Sequence, residues 1–273
     1  MTVTASIVVH RSPLPQLRKA VECILRAEVA HIFIIDNSPD NSLSAIATLS
    51  TRIEYSHVEN HGFGAGHNIA LRRAISLYPG GYHLVMNADV WWEGDALTPL
   101  ARYLDDHPDT GMIAPRVYYP DGRLQYSCRM LPTPGDMLAR RFIPSFLTRR
   151  RMRGYLLADA DHSKAIDCPY LLGSFLLFRN RALEECGLFD ERFFMYPEDI
   201  DITRRIHRRW RTLYWPGTDI IHQHAAASRR NPRMFAIHLI NMTRYFNKWG
   251  WLRDEERDLF NSRLLNDIRE TGE

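Results

Sequence analysis

The sequence contains few cysteines, and none of them are in paired spacing. No Cys-x-x-Cys motif occurs, and the four residues lie far apart, at Cys23, Cys128, Cys168 and Cys186. Scattered single cysteines exclude a dense disulfide framework and a zinc site built on cysteine pairs. We therefore expect the protein to work in a reducing compartment, namely the cytoplasm.

Long apolar runs are also absent. No run approaches the ~20 residues that cross a bilayer, and the first residues, "MTVTASIVVH", lack the basic start and long apolar core of a signal peptide. From these absences we expect a soluble or peripheral protein, located in the cytoplasm or at the inner face of the cytoplasmic membrane.

Neither charge sign is in large excess. The formal net charge is +3, from 35 basic and 32 acidic residues. Such a balance does not indicate nucleic-acid binding, and no nucleic-acid reader motif accompanies the basic residues. Lysine is rare, so arginine supplies most of the positive charge, and a guanidinium suits two-point contacts to phosphate.

The first ~100 residues alternate between apolar, β-branched runs and helical patterns. Strands are predicted at 4–10, 31–41, 53–60 and 82–92, which is typical of βαβ units with a largely parallel sheet. Ligands bind such sheets at the carboxyl ends of the strands. We expect the polar strand ends to gather there, namely Asp36, residues 60–68 and residues 87–89.

The pattern changes beyond residue 110. "GMIAPRVYYPDGRLQYS" predicts a hairpin with an Asp-Gly turn, and "TLYWPGTDIIHQH" predicts another strand pair. The proline-marked, arginine-rich residues 132–155 indicate a mobile segment. From residue 233 onward the tail predicts an aromatic and basic helix followed by a charged helix.

Each polar segment has two interpretations. Asp36 either begins a turn or binds a nucleotide, and the glycines of "HGFGAGHN" either permit a tight turn or cradle phosphate. Asp89, with Asn87, is a candidate ligand of a divalent cation. The acids of "PEDID" either stabilise a helix N-terminus or include a general base whose proton affinity is raised by the aromatic residues around it.

Two further segments have open interpretations. His222 and His224, two apart on a strand, face the same side, which suits a metal site, although lone histidines are common on surfaces. The basic segment Arg140–Tyr155 is either a solvated loop or grips an anionic lipid surface or a diphosphate. The C-terminal helix either closes the domain or makes a dimer contact, or it lies on a membrane.

The order of these segments resembles the inverting family 2 glycosyltransferases of GT-A fold. In chain order the segments are "IIDNSPD", "VENHGFGAGHNIAL", "MNADV", "LLGSFLLFR", "FFMYPEDIDITRRI" and "PGTDIIHQHAAAS". The resemblance is strongest to the rhamnosyltransferase-like members that build bacterial surface polysaccharides, and it covers about residues 3–230. It implies an α/β fold with a mostly parallel sheet flanked by helices, a small antiparallel portion and C-terminal helices.

The resemblance also implies a role for individual residues. It places Asp36 at the donor's base or ribose, and around the nucleotide it places Val9, Asn60, Gly62, Asn68 and Asn87. Asp89 is expected to hold the Mg²⁺ or Mn²⁺ that bridges the diphosphate, with His222 or His224 as a further ligand. Asp199 stands at the position of the catalytic base, with Glu198 beside it and Asp201 as a helix cap or acceptor contact.

The sequence departs from the family pattern at two informative positions. Asn87 replaces the first aspartate of the Asp-x-Asp motif, which suggests weaker or water-mediated metal binding. Ile206 stands where processive members need glutamine. We therefore expect the transfer of one sugar to a glycan or lipid-linked glycan acceptor, with rhamnose on thymidine diphosphate as the first expectation and UDP-linked hexoses as the next.

Two other classes of protein remain as alternatives. A nucleotidyltransferase would need a glycine-rich, lysine-bearing loop after the first strand, where this chain has "HRSPLPQ". A catalytically silent scaffold or binding subunit is compatible with Asn87, but the retained Asp89, Asp199 and His222 count against it. We expect residues 1–230 to form the catalytic domain and residues 231–273 a helical extension, packed on it or facing a membrane, in a monomer or an oligomer.

Overall fold

The computed structural model describes residues 2–223 and 232–272. Its strands are β1 (Val3–Val9), β2 (Val29–Asp36), β3 (Ile53–His57), β4 (Tyr82–Met86), β5 (Val90–Trp91), β6 (Thr110–Tyr118), β7 (Leu124–Gln125), β8 (Cys128–Arg129), β9 (Ile166–Asp167), β10 (Tyr170–Leu171), β11 (Phe175–Arg179) and β12 (Arg211–His222). Its α-helices are α1 (Leu14–Arg26), α2 (Phe63–Leu77), α3 (Leu97–Asp106), α4 (Pro134–Phe142), α5 (Ser145–Tyr155), α6 (Asn180–Cys186), α7 (Glu198–His207), α8 (Pro232–Trp249) and α9 (Glu255–Gly272). A short 3₁₀ helix covers Ser44–Leu49.

One mixed sheet organises the described part of the chain. Its main order is β3-β2-β1-β4-β11-β6-β12-β5, and a second sheet pairs β8 with β10. The pairs among β3, β2, β1 and β4 are parallel, whereas β11 runs antiparallel to both β4 and β6. The predicted α/β architecture, with a mostly parallel first half and a smaller antiparallel portion, is confirmed.

The first strands form because they can be buried on both faces. Six of the seven residues of β1 are buried, and so are all five of β4. Helix α1 covers one face of the sheet with its inward stripe, to which Leu17, Val21 and Ile24 contribute at helical spacing. The polar residues 36–38 and 87–89 follow directly at the carboxyl ends of β2 and β4.

Two details of the second half differ from the sequence-based expectation. The predicted strand pair at 212–224 is one strand, β12, whose register against β6 shifts between Trp215 and Asp219. Residues 132–155, expected to be mobile, contain the helices α4 and α5. Thr133 caps α4 through a capping box with Asp136, and Pro134 stands in the first turn, where its missing N–H costs nothing.

The C-terminal helices are fixed to the rest of the chain by buried charge pairs. In α7, Arg204 contacts Asp254, which precedes α9, with Nη1–Oδ2 at 2.7 Å. Met242, Tyr245 and Phe246 of α8 are buried in an apolar cluster that also includes Phe193 and Ile200. No helix within residues 2–223 and 232–272 is both long and apolar enough to cross a membrane.

Candidate active site

Parallel strands bring the first predicted site residues to one edge of the sheet. Val9 and Asp36 end β1 and β2 and are neighbours in the register of the two strands. The Val9 side chain lies in the core, and its carbonyl oxygen accepts a hydrogen bond from the Asn37 backbone N–H. Val9 therefore shapes the turn after β2 and does not offer a side chain to a ligand.

Asp36 is fully buried, and both of its carboxylate oxygens are engaged. The Tyr55 hydroxyl donates to Oδ2 at 2.6 Å, and the Ser38 backbone N–H donates to Oδ1 at 2.8 Å. Burial and the bond to Asp36 raise the pKa of Tyr55 well above its usual value, so the phenol stays protonated. The contact between Asp36 and a nucleotide stays a prediction, and it would require exchange of one of these bonds.

Asn37, which the sequence analysis did not single out, is better placed for a ligand. Its side chain is buried, and its Oδ1 has no hydrogen-bond partner within the described residues. Leaving such an oxygen unsatisfied costs about 1–3 kcal/mol. A ligand that donates a hydrogen bond to Asn37 Oδ1 would remove that cost. In the sequence, the only sign of a role for Asn37 is its position directly after Asp36.

The glycine-rich loop is shaped by contact with the segment before Asp199. Asn60 accepts a hydrogen bond from the Gly62 N–H at 3.0 Å. Gly62 has φ +104°, and a Cβ there would lie 2.3 Å from the Phe194 carbonyl oxygen, so only glycine fits. In the helix itself, a Cβ at Gly66 would lie 2.9 Å from a methyl group of Val8. Close packing thus accounts for these glycines without a phosphate.

Asn68 has a structural role in the described chain. Its Nδ2 donates to the Phe189 carbonyl oxygen and to the Glu191 carboxylate, each at 2.9 Å. Its Oδ1 accepts the Phe189 N–H. This side chain joins α2 to the loop before α7, and both of its amide N–H groups are engaged there. The contact between Asn68 and a nucleotide stays a prediction.

Asp89 and His222 meet although 133 positions separate them. They are brought together because β12 pairs with β5, with His222 opposite Val90. His222 Nε2 lies 3.3 Å from Asp89 Oδ1, and His222 Nδ1 lies 2.7 Å from Gln125 Oε1. His224 lies outside the described residues.

The geometry of this pair is compatible with one divalent cation. Where Gln125 Oε1 accepts from Nδ1–H, the imidazole carries its proton on Nδ1 and the Nε2 lone pair faces Asp89. Two adjacent corners of an octahedral Mg²⁺ site with ligand distances of about 2.1 Å are about 3 Å apart, close to the observed separation. Within the described residues, no group of three or more His, Cys, Asp or Glu side chains is arranged for a metal. Phosphate or water oxygens would have to complete the shell.

Asp199 is a buried carboxylate held in one orientation. The Gly173 backbone N–H donates to Oδ2 at 3.0 Å, and the Ile200 N–H donates to Oδ1 at 2.8 Å. Burial raises the pKa of Asp199 to about 6, and these two hydrogen bonds and the charge of Arg129 hold it below what burial alone would give. A carboxylate with a pKa close to neutral is suited to take a proton.

Glu198 differs from its neighbour. It is buried, and its Oε2 has no hydrogen-bond partner within the described residues. Burial first, and then the nearby Asp199 charge, raise the pKa of Glu198 well above its usual value. Near neutral pH, Glu198 is therefore the uncharged acid of the pair and Asp199 the carboxylate.

The prediction that Asp201 caps the helix or contacts the acceptor needs a correction. Its side chain is completely buried, where it forms ion pairs with Arg205 at 2.8 Å and Lys248 at 2.6 Å. The indole N–H of Trp249 also donates to it, at 2.8 Å. These contacts leave it no access to an acceptor, and its role is to join α7 to α8.

A short chain of contacts links Asp199 to the Asn87–Asp89 segment. Gly173, which donates to Asp199, precedes Ser174, whose carbonyl oxygen accepts the Asn87 N–H at 3.0 Å. The next residue, Phe175, pairs with Met86 in the sheet. The candidate base and the candidate metal ligand therefore flank the junction of β4 and β11.

Arg129 is a second residue that the sequence analysis did not single out. It is 9% exposed, its Nε donates to the Tyr126 carbonyl oxygen, and its guanidinium lies 5.7 Å from the Tyr170 ring centroid. No ion pair to it is present among the described residues. Because Arg129 lowers the pKa of Asp199, it supplies positive charge to the site, and its place follows only from the pairing of β8 with β10.

Comparison with known proteins identifies relatives of the chain. Residues 5–187 match the family described as glycosyl transferase family 2. The chain is 30% identical over 152 residues to the N-acetylglucosaminyl-diphospho-decaprenol L-rhamnosyltransferase of Mycobacterium tuberculosis (strain ATCC 25618 / H37Rv), covering 55% of this chain and 49% of that one. It is 26% identical over 267 residues to the rhamnosyltransferase WbbL of Escherichia coli (strain K12), covering 94% and 97%.

The solved structures give the same fold. The crystal structure of GalNAc-T7 with UDP, GalNAc and Mn²⁺ superposes with a TM-score of 0.59 at 16% identity, covering 81% of this chain and 44% of that one. At that identity the match shows the fold alone. The chain spans about half the length of the mycobacterial relative but nearly all of WbbL.

Proposed function

This chain belongs to glycosyl transferase family 2, and we propose that it is an inverting glycosyltransferase. In this proposal it moves one sugar from a nucleotide donor to a glycan or lipid-linked glycan acceptor. Rhamnose carried on thymidine diphosphate is the first candidate donor, because two relatives are named as rhamnosyltransferases. UDP-linked hexoses are the next candidates.

The observation that carries the proposal is the state of Asp199. Glycosyl transfer needs a group that takes the proton of an acceptor hydroxyl as its oxygen attacks. Asp199 is oriented by two backbone donors, its pKa is about 6, and it lies close to the junction that carries Asn87 and Asp89. The neighbouring Glu198 stays protonated, so only one of the two acids is charged.

The reaction is a single displacement. The acceptor oxygen forms a bond to the anomeric carbon, its proton passes to an oxygen of Asp199, and the bond from that carbon to the diphosphate breaks. Attack occurs opposite the leaving diphosphate, so the configuration at the carbon inverts. Arg129 lies on the Asp199 side of the site, where its charge favours an approaching phosphate over a neutral ligand.

The donor would be held by residues from both halves of the sheet edge. We assign Asn37 to the base or ribose, with Asp36 fixing its turn, and Asn60 and Gly62 to the shape of the adjoining loop. Asp89 and His222 would hold Mg²⁺ or Mn²⁺, and Asn87 would lie beside this metal site. The cation would neutralise charge on the departing diphosphate.

The proposal is tested by a donor panel with the purified chain. dTDP-rhamnose and UDP-hexoses are incubated, with Mn²⁺ or with chelator, with a water-soluble short-chain analogue of a GlcNAc diphospholipid. We expect transfer of one sugar from one donor, loss of transfer with chelator, and inverted anomeric configuration by NMR. Nucleotide binding without any transfer would favour the scaffold alternative, and pyrophosphate release from a nucleoside triphosphate and a sugar phosphate would favour the nucleotidyltransferase alternative.

The metal assignment has its own measurement. His222→Phe and Asp89→Asn should weaken Mn²⁺-dependent binding of the nucleoside diphosphate, measured by calorimetry, by at least about tenfold. The matched control is His31→Phe, an outlying histidine whose nearest acid is Glu54. If the nucleotide bound equally well with and without Mn²⁺ in the unaltered protein, the assignment would be wrong.

A further inference from the structure

The hairpin of helices α4 and α5, residues 134–155 and here called the basic hairpin, exposes a cluster of apolar side chains. Leu138, Ile143, Phe146 and Leu147 are 54%, 44%, 76% and 67% exposed. Four of the eleven large exposed hydrophobic residues in the described part thus lie within ten positions, around the turn between the two helices. Single exposed apolar residues are ordinary, but a contiguous group indicates a contact surface.

The charge of the basic hairpin has one sign. Residues 134–155 contain six arginines and one aspartate, which leaves a net charge of +5. The aspartate, Asp136, is engaged by Arg151 at 2.6 Å, and Arg153 pairs with Asp159 outside the hairpin. Arg149 and Arg150 are exposed and form no ion pair with the described residues. The hairpin therefore has positive charge available for an anionic partner.

The apolar and basic side chains share one face of α5. Phe146, Arg149, Arg150 and Arg153 follow the i, i+3, i+4, i+7 spacing that places residues on one side of a helix. Thr148 and Tyr155, which lie on the opposite side, are buried against the protein. The outer face thus carries an aromatic residue at the turn and arginines along the next two turns, an arrangement that suits an interface between acyl chains and phosphate headgroups.

The basic hairpin is attached close to the candidate base. The Met130 N–H donates to the carbonyl oxygen of Tyr155, the last residue of α5, at 3.1 Å. Met130 follows Arg129, whose charge acts on Asp199. The C-terminal end of α5 is therefore joined to the strand segment that carries Arg129.

We propose that the basic hairpin docks onto an anionic lipid bilayer, with Phe146 and Leu147 inserted among the lipids and Arg149 and Arg150 contacting lipid phosphates. This extends the proposed function, because a lipid-linked acceptor would then meet Asp199 at the membrane surface. A lipid bilayer is favoured over a protein partner because exposed Phe146 and Leu147 are followed, after one buried residue, by exposed Arg149 and Arg150, so apolar side chains and positive charge lie next to each other, as an interface of acyl chains and phosphate headgroups requires.

Vesicle flotation of the full chain tests the proposal. Vesicles of phosphatidylglycerol and phosphatidylcholine are compared with vesicles of phosphatidylcholine alone, using the unaltered protein, Phe146→Ser with Leu147→Ser, and Arg149→Gln with Arg150→Gln. We expect binding to the anionic vesicles only, reduced at least roughly tenfold by the apolar pair and several-fold by the arginine pair. Salt should weaken binding of the unaltered protein. Leu252→Ser, which alters a more exposed apolar residue elsewhere, is the control and should bind like the unaltered protein.

Several results would overturn the proposal. The first is failure of the unaltered protein to float with anionic vesicles, and the second is an equal loss of binding in Leu252→Ser. The third is a hairpin variant that changes oligomeric state in sedimentation but binds vesicles like the unaltered protein. The last result would assign the exposed apolar residues to a second copy of the chain. Transfer to the water-soluble acceptor, measured in parallel, should be unchanged in all hairpin variants. If the unaltered protein did not transfer sugar to the water-soluble acceptor, that result would count against the proposed function and not against the docking surface.

Discussion

Gly173→Ala is predicted to impair catalysis by displacing Asp199 while leaving the fold intact. The Gly173 N–H donates to Asp199 Oδ2, and an added Cβ would lie 3.0 Å from Asp199 Cβ and 3.4 Å from Oδ2. Gly173 does not have a positive φ. The effect of alanine is therefore steric, and it acts on the side chain that we assign as the base.

The size of the effect follows from the contact distances. Carbon atoms in ordinary contact are about 3.5–4.0 Å apart, so the new methyl group must push Asp199 by about half an ångström. A displacement of 1 Å costs about a hundredfold in rate, and we therefore expect kcat to fall by roughly tenfold. Overpacking of a buried site typically costs about 1–3 kcal/mol of stability, which a domain of this size tolerates.

The assay is steady-state sugar transfer, with nucleotide affinity and thermal unfolding measured on the same preparations. Gly80→Ala is the matched control, since a Cβ there would meet no atom within 4 Å. We expect the control to transfer sugar at the unaltered rate and Gly173→Ala to retain nucleotide affinity. An unchanged kcat in folded Gly173→Ala would refute the argument that the Gly173 contact positions the base.

Two further predictions concern pH and stability. Because burial raises the pKa of Asp199 to about 6 and a base must be unprotonated, kcat/KM should fall about tenfold per pH unit below about pH 6 in a pH–rate profile; a flat profile down to pH 5 would contradict this. Asp254→Asn should keep the turn before α9 but leave buried Arg204 short of a counter-charge. The free energy of unfolding should fall by about 3 kcal/mol in denaturant titration. Asp121→Asn, in an exposed pair with Arg123, is the control and should leave Tm unchanged. Equal effects of the two substitutions would contradict the buried-pair account.

Much of the architecture was predictable because strand ends carry a strong local signal. Alternating apolar runs and helices predict the parallel strands, and the polar residues after them mark the carboxyl ends of those strands. Asp36 does end β2, and His222 does meet Asp89. The prolines of residues 132–155 indicate a mobile segment in the sequence, although proline is accepted where a helix begins, as Pro134 and Pro144 are at α4 and α5.

The remaining site features depend on contacts between residues far apart in the sequence. From its position near the start of α7, Asp201 is expected to cap the helix or contact the acceptor. Its actual partner Lys248 is 47 positions away in another helix, so the local sequence gives no sign of the ion pair. Asn68 looked available because nothing nearby in sequence marks its partners at Phe189 and Glu191. The pairing of β8 with β10, which brings Arg129 close to Asp199, joins two strands of two residues each, too short for a periodic pattern to predict.

The most direct test of the account is the comparison of Asp199→Asn with Glu198→Gln in sugar transfer and in calorimetry with the donor nucleotide. Asparagine keeps the shape of Asp199 but cannot take a proton, so transfer should fall by at least about a thousandfold while nucleotide affinity stays within about threefold. Glutamine resembles the protonated Glu198 and should keep most of the activity. Normal turnover by Asp199→Asn, or equal loss in both variants, would contradict the assignment of Asp199 as the base.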